Sequence, residues 1–145
     1  LLERAQIYMN NDQARNAMLD YDAYYKAVNG QVNDLFYYYR EQAALKARQY
    51  QRALDDIVKA VELSPKDLTY RAEHAVVNLR VGRYEESMKI LNEILKDEPK
   101  YGEAYRLLGL CQIQLKKTDE ACGNFNKAKE LGDPNVDELI KKYCK

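Results

Sequence analysis

Apolar residues recur along this chain three and four positions apart, as in Leu54, Ile57, Val58 and Val61, or Leu107, Leu108, Cys111 and Leu115. Strict alternation of apolar and polar residues is absent, so the pattern predicts helices and no strand. Pro65, Pro99 and Pro134, preceded by Ser64, Glu98 and Asp133, mark stops between helical stretches. Shorter breaks at "NNDQ", "KARQ", "VGRY" and "LKKT" divide each block in two. The nine predicted helices cover roughly 1–10, 12–28, 33–47, 50–63, 66–81, 84–97, 101–116, 118–131 and 135–144.

One of these helices is written twice. "YQRALDDIVKAVELSP" from Tyr50 and "YEESMKILNEILKDEP" from Tyr84 align Ala53 with Ser87, Ala60 with Ile94 and Pro65 with Pro99, each pair 34 residues apart. A helix pair repeating at that period predicts a stacked solenoid, because one pair alone leaves apolar surface that only a neighbouring pair can cover.

On these residues the chain resembles the tetratricopeptide repeat family along essentially its whole length. The block from Asp34 supplies Tyr37, Ala44, Tyr50, Ala53, Ile57, Ala60 and Pro65. The block from Leu68 supplies Ala75, Gly82, Tyr84, Leu91 and Pro99, and the block from Gly102 supplies Tyr105, Leu108, Gly109, Ala121, Phe125 and Ala128. A weaker copy begins the chain with Ala5, Tyr8, Ala17 and Tyr21, where Ala17 to Ala53 is 36 residues, placing two extra residues around "VNGQVN". The resemblance implies an all-α fold, a right-handed α-solenoid of antiparallel helix pairs in a single domain 1–145. Its repeats would be about 1–33, 34–67, 68–101 and 102–134, followed by a capping helix 135–145.

Physically, small residues at Ala53, Ala75, Gly109 and Ala121 let paired helices approach, while Tyr37, Tyr84 and Phe125 fill the space between pairs. Some positions depart from the family pattern. Glu41 stands where a small residue is expected, Arg71 where an aromatic is, and Arg48 and Lys116 where glycine often closes the turn. Looser packing between the two helices of the second repeat is the expectation. Val136, Leu139, Ile140 and Tyr143 share one face of the last helix, as a cap over the final apolar surface requires. The chain opens without methionine and partway into a first helix, which predicts the C-terminal part of a longer array, with any targeting segment removed.

Charge narrows the partners. Lysine plus arginine and aspartate plus glutamate number 23 each, with no long run of either sign, which argues against nucleic acid or a membrane surface. No apolar run approaches the roughly 20 residues of a membrane span, so membrane insertion is not expected. Cys111, Cys122 and Cys144 match no zinc or redox spacing. Cys111 and Cys122 read as small packing residues, and a Cys122–Cys144 disulfide is the alternative in an oxidising compartment. His74 falls at an apolar position of the repeat, Ser64 and Ser87 have no base in reach, and adjacent acids such as Asp55 and Asp56 diverge around a helix. The sequence predicts no enzyme, no metal and no cofactor.

The resemblance places function on the concave face lined by the first helix of each pair, where the family binds extended peptides or partner helices. The corresponding positions here are Leu2, Gln6 and Met9; Tyr38, Gln42 and Leu45; Ala72, Val76 and Leu79; and Arg106, Leu110 and Ile113. Tyr39, Thr69, Glu73, Arg80 and Glu103 edge them. Such an apolar face marks an interaction site. A carboxylate clamp for chaperone tails needs cationic and amide donors, and neither register supplies them: one gives Tyr38, Gln42, Glu73, Glu103 and Leu107. Among the clustered tyrosines, Tyr38 and Tyr39 are the two expected to be partly exposed, and Val76 and Leu79 should be more exposed than Val77. The reading is a non-catalytic adaptor that holds a segment of another protein. The alternative is a structural or self-associating module, in which a second copy or the chain's own neighbouring helix fills the face.

Overall fold

The computed structural model describes all 145 residues and contains nine α-helices and no strand. They are α1 (Leu2–Asn10), α2 (Ala14–Ala27), α3 (Asp34–Lys46), α4 (Tyr50–Leu63), α5 (Leu68–Arg80), α6 (Tyr84–Asp97), α7 (Gly102–Gln114), α8 (Thr118–Glu130) and α9 (Asp137–Tyr143). The fold is an all-α helical repeat. None of the helices is long and apolar enough to cross a membrane. The chain divides into two compact units, Leu1–Tyr70 and Arg71–Lys145.

Each predicted helix is present, with ends shifted by up to two residues at either side. The prolines explain part of the shift: α5, α7 and α9 each start three residues after Pro65, Pro99 or Pro134, not directly behind it. Capping explains more. Asn33 Oδ1 accepts from the Phe36 N–H at 3.0 Å ahead of α3, and Asp67 Oδ1 accepts from the Tyr70 N–H at 3.1 Å ahead of α5. Each satisfies a first-turn donor that has no partner within the helix.

Four turns between paired helices repeat one geometry. Asp12, Arg48, Gly82 and Lys116 all have positive φ, between 56° and 83°. The next residue's N–H reaches back five positions: Gln13 to Tyr8 O at 2.7 Å, Gln49 to Ala44 O at 2.8 Å, Arg83 to Asn78 O at 2.9 Å and Lys117 to Gln112 O at 2.8 Å. This is a left-handed helix stop that satisfies the last carbonyls of the first helix. Only one of the four turns uses the residue type without a Cβ penalty.

In the unit Leu1–Tyr70, α1 packs on α2, α2 on α3 and α3 on α4. Ala5, Ala17, Ala43, Ala44, Ala53, Ile57 and Ala60 are fully buried. The looser second repeat anticipated from Glu41 is not found. Glu41 is itself fully buried, accepting from Gln42 Nε2 at 2.6 Å, and its flanking core residues have no exposure. Ile57 stands where the last repeat has Phe125, and that smaller side chain leaves room for a larger neighbour. The aromatic hub of this unit is Phe36 and not Tyr37. The Tyr21, Tyr24, Tyr25 and Tyr37 rings all lie within 6.0 Å of the Phe36 ring.

Two ion pairs recur in this unit. Arg4 Nε and Nη2 donate to the two oxygens of Asp20 at 2.8 and 2.7 Å, and Arg40 Nε and Nη2 donate to those of Asp56 at 2.9 and 2.8 Å. The second fork lies 36 residues after the first, and each ties the first helix of a pair to the second.

In the unit Arg71–Lys145, α6 packs on α7, α7 on α8 and α8 on α9. Ala75, Val77, Leu91, Ile94, Ala104 and Cys111 are buried, and Ser87, at the small-residue position, donates its hydroxyl to Ala75 O at 2.7 Å. Ala121, Phe125, Ala128 and Val136 form the last cluster, and Leu139, Ile140 and Tyr143 of α9 pack against it. Cys122 is not the free packing residue expected. It is bonded to Cys144, which ties α9 to α8, because the α9 face that covers Phe125 brings residue 144 back over that helix. Cys111 alone is a buried free thiol, and burial pushes its pKa up.

Candidate functional site

Side chains anticipated at a binding face fall in both units. In the first unit, the Tyr38 ring lies 5.6 Å from Tyr39 and 5.4 Å from Tyr70. Tyr38 is half-buried and Tyr39 exposed, as their positions predicted. Desolvation is the main reason the Tyr70 hydroxyl is pushed up to about 12, with Asp34 adding to it. Asp34 is held below the usual carboxylate range, chiefly by the Ser64 hydroxyl donating to it at 2.7 Å. Gln42 and Leu45 are half-buried and Thr69 exposed.

Next to these residues, side chains of α1, α2 and α3 border an open recess of about 380 Å³, lined by Leu2, Gln6, Tyr21, Leu35, Phe36 and Tyr39 among others. Leu2 and Gln6 were anticipated on this face, and Tyr39 at its edge. Leu35 and Phe36 were missed. They precede the expected contact position by two or three residues, and Phe36 packs among the α2 tyrosines at the floor of the recess.

In the second unit the anticipated residues separate. Val76 and Leu79 are half-exposed while Val77 is fully buried, as predicted. Glu73 is half-buried and Arg80 exposed beside them. Ala72 is a correction: at 3% exposure it belongs to the core and offers a ligand no surface. Arg106 is another. Its Nε lies 3.1 and 3.2 Å from the Asp133 carboxylate, and its Nη2 lies 3.7 Å from Glu103, so it closes the turn before α9. The Tyr101 hydroxyl donates to the same Glu103 at 2.6 Å, and burial with that bond pushes its pKa well up. Leu110 and Ile113 are half-buried and also pack against the Phe125 cluster that α9 caps.

His74 is half-buried, and desolvation lowers its pKa. The hydroxyls of Ser64 and Ser87 are both engaged in structural hydrogen bonds. No group of three His, Cys, Asp or Glu side chains comes together in a way that could hold a metal ion.

Comparison with known proteins bears on the family. The model of the family described as anaphase-promoting complex, cyclosome, subunit 3 matches residues 10–94, and the tetratricopeptide repeat model matches residues 73–136. Small glutamine-rich tetratricopeptide repeat-containing protein 2 of Mycosarcoma maydis is 29% identical over 99 residues, covering 68% of this chain and 28% of that protein. Heat shock protein STI1 of Saccharomyces cerevisiae is 31% identical over 101 residues, covering 67% of this chain and 17% of that one. The chain thus spans less than a third of either relative. Among solved structures, YrrB, described as a TPR protein with an unusual peptide-binding site, superposes with a TM-score of 0.79 at 19% identity, covering 95% of this chain and 71% of its own. The first TPR of Spaghetti (RPAP3), solved with the HSP90 peptide SRMEEVD, gives 0.67 at 19% identity over 77% of this chain and 90% of its own. With the 34-residue period, the recurrent left-handed turns and these matches together, the chain belongs to the tetratricopeptide repeat family.

Proposed function

We propose that the chain is a non-catalytic protein-interaction module whose outward-facing first-helix side chains hold an extended or helical segment of another protein. The observation that carries this reading is the recess of about 380 Å³ in the first unit, where Leu2, Leu35 and Tyr39 remain substantially exposed around a buried aromatic floor. An open apolar recess with a few polar groups at its edge is the surface a peptide side chain fills. Tyr38, Gln42, Leu45 and Thr69 extend the proposed face in this unit. Glu73, Val76, Leu79 and Arg80 form the proposed face of the second unit.

The chemistry favours an apolar ligand over a carboxylate tail. Glu73 and Glu103 stand where a carboxylate clamp needs donors, and Arg106 is already held by Asp133. The matched relatives include a small glutamine-rich tetratricopeptide repeat-containing protein and a heat shock protein, and this likeness supports an adaptor role without specifying a partner.

The test is a pull-down with two surface variants. Leu35→Asp with Tyr39→Asp, and separately Val76→Asp with Leu79→Asp, should keep helicity and shift stability only modestly, since exposed positions typically cost less than about 0.5 kcal/mol and half-exposed ones somewhat more. Each should lose partners that the parent chain captures. Folded variants that capture the same partner set as the parent would refute the reading.

A further inference from the structure

The last helix is held differently from those before it. α9 has seven residues and buries none of them, whereas every other helix buries at least one side chain. A helix of that length has no independent stability in water, since even good helix formers need about 12–15 residues. Its Leu139, Ile140 and Tyr143 pack against the Phe125 cluster but remain half-buried. Lys129 of α8 meets Asp137 of α9 at 3.4 Å, but both side chains are exposed, and such pairs contribute little. The firm link between the end of α9 and α8 is the covalent one from Cys122 to Cys144.

The residues just ahead of α9 are fixed without that bond. Val136 is fully buried in the Phe125 cluster. The Asp133 N–H donates to Ala128 O at 3.0 Å, its carboxylate accepts from Arg106, and its Oδ1 accepts from the Asn135 N–H at 2.7 Å. The segment from Asp133 to Val136 is therefore an anchored base, and Cys144 is a tie at the far end of α9. Cys122 lies about one turn before Phe125 on α8, so the tie holds Tyr143 over the Phe125 ring, where the two stack at 6.4 Å. Cys111 takes no part in exchange. It is buried, and burial favours its neutral thiol over the nucleophilic thiolate.

We propose that Cys122–Cys144 is a redox latch that opens and closes the Phe125 face. The reductant is a dithiol. Its thiolate attacks one sulfur of the bond and forms a mixed disulfide, while the other cysteine leaves as a thiolate and takes up a proton. The reductant's second thiol then loses its proton, closes a disulfide within the reductant and releases the second cysteine, which is protonated in turn. Two electrons pass to the protein, and two thiols replace one disulfide. Residues 137–145 then leave α8 and unwind, while Asp133 to Val136 stay in place. Phe125 and Ala121 gain solvent contact on the side that Tyr143 covered. The reverse exchange, with an oxidised dithiol, restores the cover.

The test compares amide hydrogen exchange of the full chain, oxidised and after reduction with dithiothreitol, at one pH. Amides of residues 140–144 are expected to exchange at least about tenfold faster in the reduced chain, while those of α7 and the first half of α8 keep their protection. The double variant Cys122→Ser with Cys144→Ser should match the reduced parent with or without the dithiol, which removes any effect through Cys111. Binding of an apolar fluorescent dye should rise with the same change. In glutathione buffers the bond should open before the pool is fully reduced. Equal protection of residues 140–144 in both states overturns the proposal, because α9 then docks without the bond. Loss of protection throughout α7 and α8 also overturns it, because the bond is then a staple for the whole unit. So does a bond that stays closed in glutathione kept almost wholly reduced, which marks it as structural. None of the proposed peptide-binding residues takes part, so the two readings fail separately.

Discussion

Gly109 and Phe125 provide the most direct test of the packing described above. A Cβ built on Gly109 would lie 2.3 Å from Phe125 Cε1 and 2.6 Å from Cδ1, closer than side chains ever come. The ring has little room to retreat, because it is fully buried among Ala121, Ala128 and Val136, with Tyr143 stacked 6.4 Å away. Gly109→Ala gains about 1 kcal/mol from helix propensity. Overpacking a filled core costs about 1–3 kcal/mol, and the enclosed ring argues for the upper end. A net loss of about 2 kcal/mol follows, or a fall of roughly 6 °C in Tm for a chain of this size. Phe125→Leu removes the ring atoms that meet the new methyl, so in that background Gly109→Ala should be neutral or stabilising by up to about 1 kcal/mol. Urea denaturation of the four proteins, followed by far-ultraviolet circular dichroism, gives the coupling, expected at about 2 kcal/mol or more. A Gly109→Ala chain at least as stable as the parent would show that Phe125 does not fill this space.

Arg48→Gly and Lys116→Gly should each raise stability by roughly 0.5–1 kcal/mol, because both residues sit at φ near 60° and relief of the left-handed penalty exceeds the entropy glycine loses; scanning calorimetry showing either variant less stable would count against those turns. Cys144→Ser, or reduction of the parent, should lower the urea midpoint by the equivalent of up to about 3 kcal/mol, since the bond closes a loop with a sequence separation of 22. An unchanged midpoint would mean that α9 docks without the tether. His74 has a depressed pKa, so its contribution is full above the unfolded value near 6.5 and is lost as pH falls through the folded value. His74→Gln should therefore flatten the stability profile between about pH 7 and pH 5, and a parent chain equally stable across that window would contradict the burial argument.

The helices were legible because their apolar spacing is regular, and a repeat constrains every copy at once. Arg48 and Lys116 could be placed in turns from their alignment with Gly82. Ser87 likewise took the small-residue position from its alignment with Ala53. The faces were harder to read. Ala72 and Val76 lie four residues apart and were assigned to one surface, yet one is core and the other half-exposed, since four residues of an α-helix overshoot a full turn. The contacts of Leu110, Ile113 and Arg106 were out of reach for a different reason: they are set by α9 and by the Asp133 turn, which no repeat position encodes. The Arg4–Asp20 and Arg40–Asp56 forks left a trace, an Arg and an Asp 16 apart written twice, but charge on a helix usually reads as a solvated surface. Their partners' burial could be seen only once the paired helices were in place.

The Cys122–Cys144 bond also decides how the chain responds to pulling. Tension applied at Lys145 passes through the sulfurs into α8 at Cys122, and the intervening residues, which contain the end of α8 and all of α9, carry none of it. About 70 Å of contour stays hidden until a reductant opens the link, taking roughly 3.4 Å per residue. Under load the capping helix is therefore a spectator in the oxidised chain, and α8 is the first element from this end to feel the force.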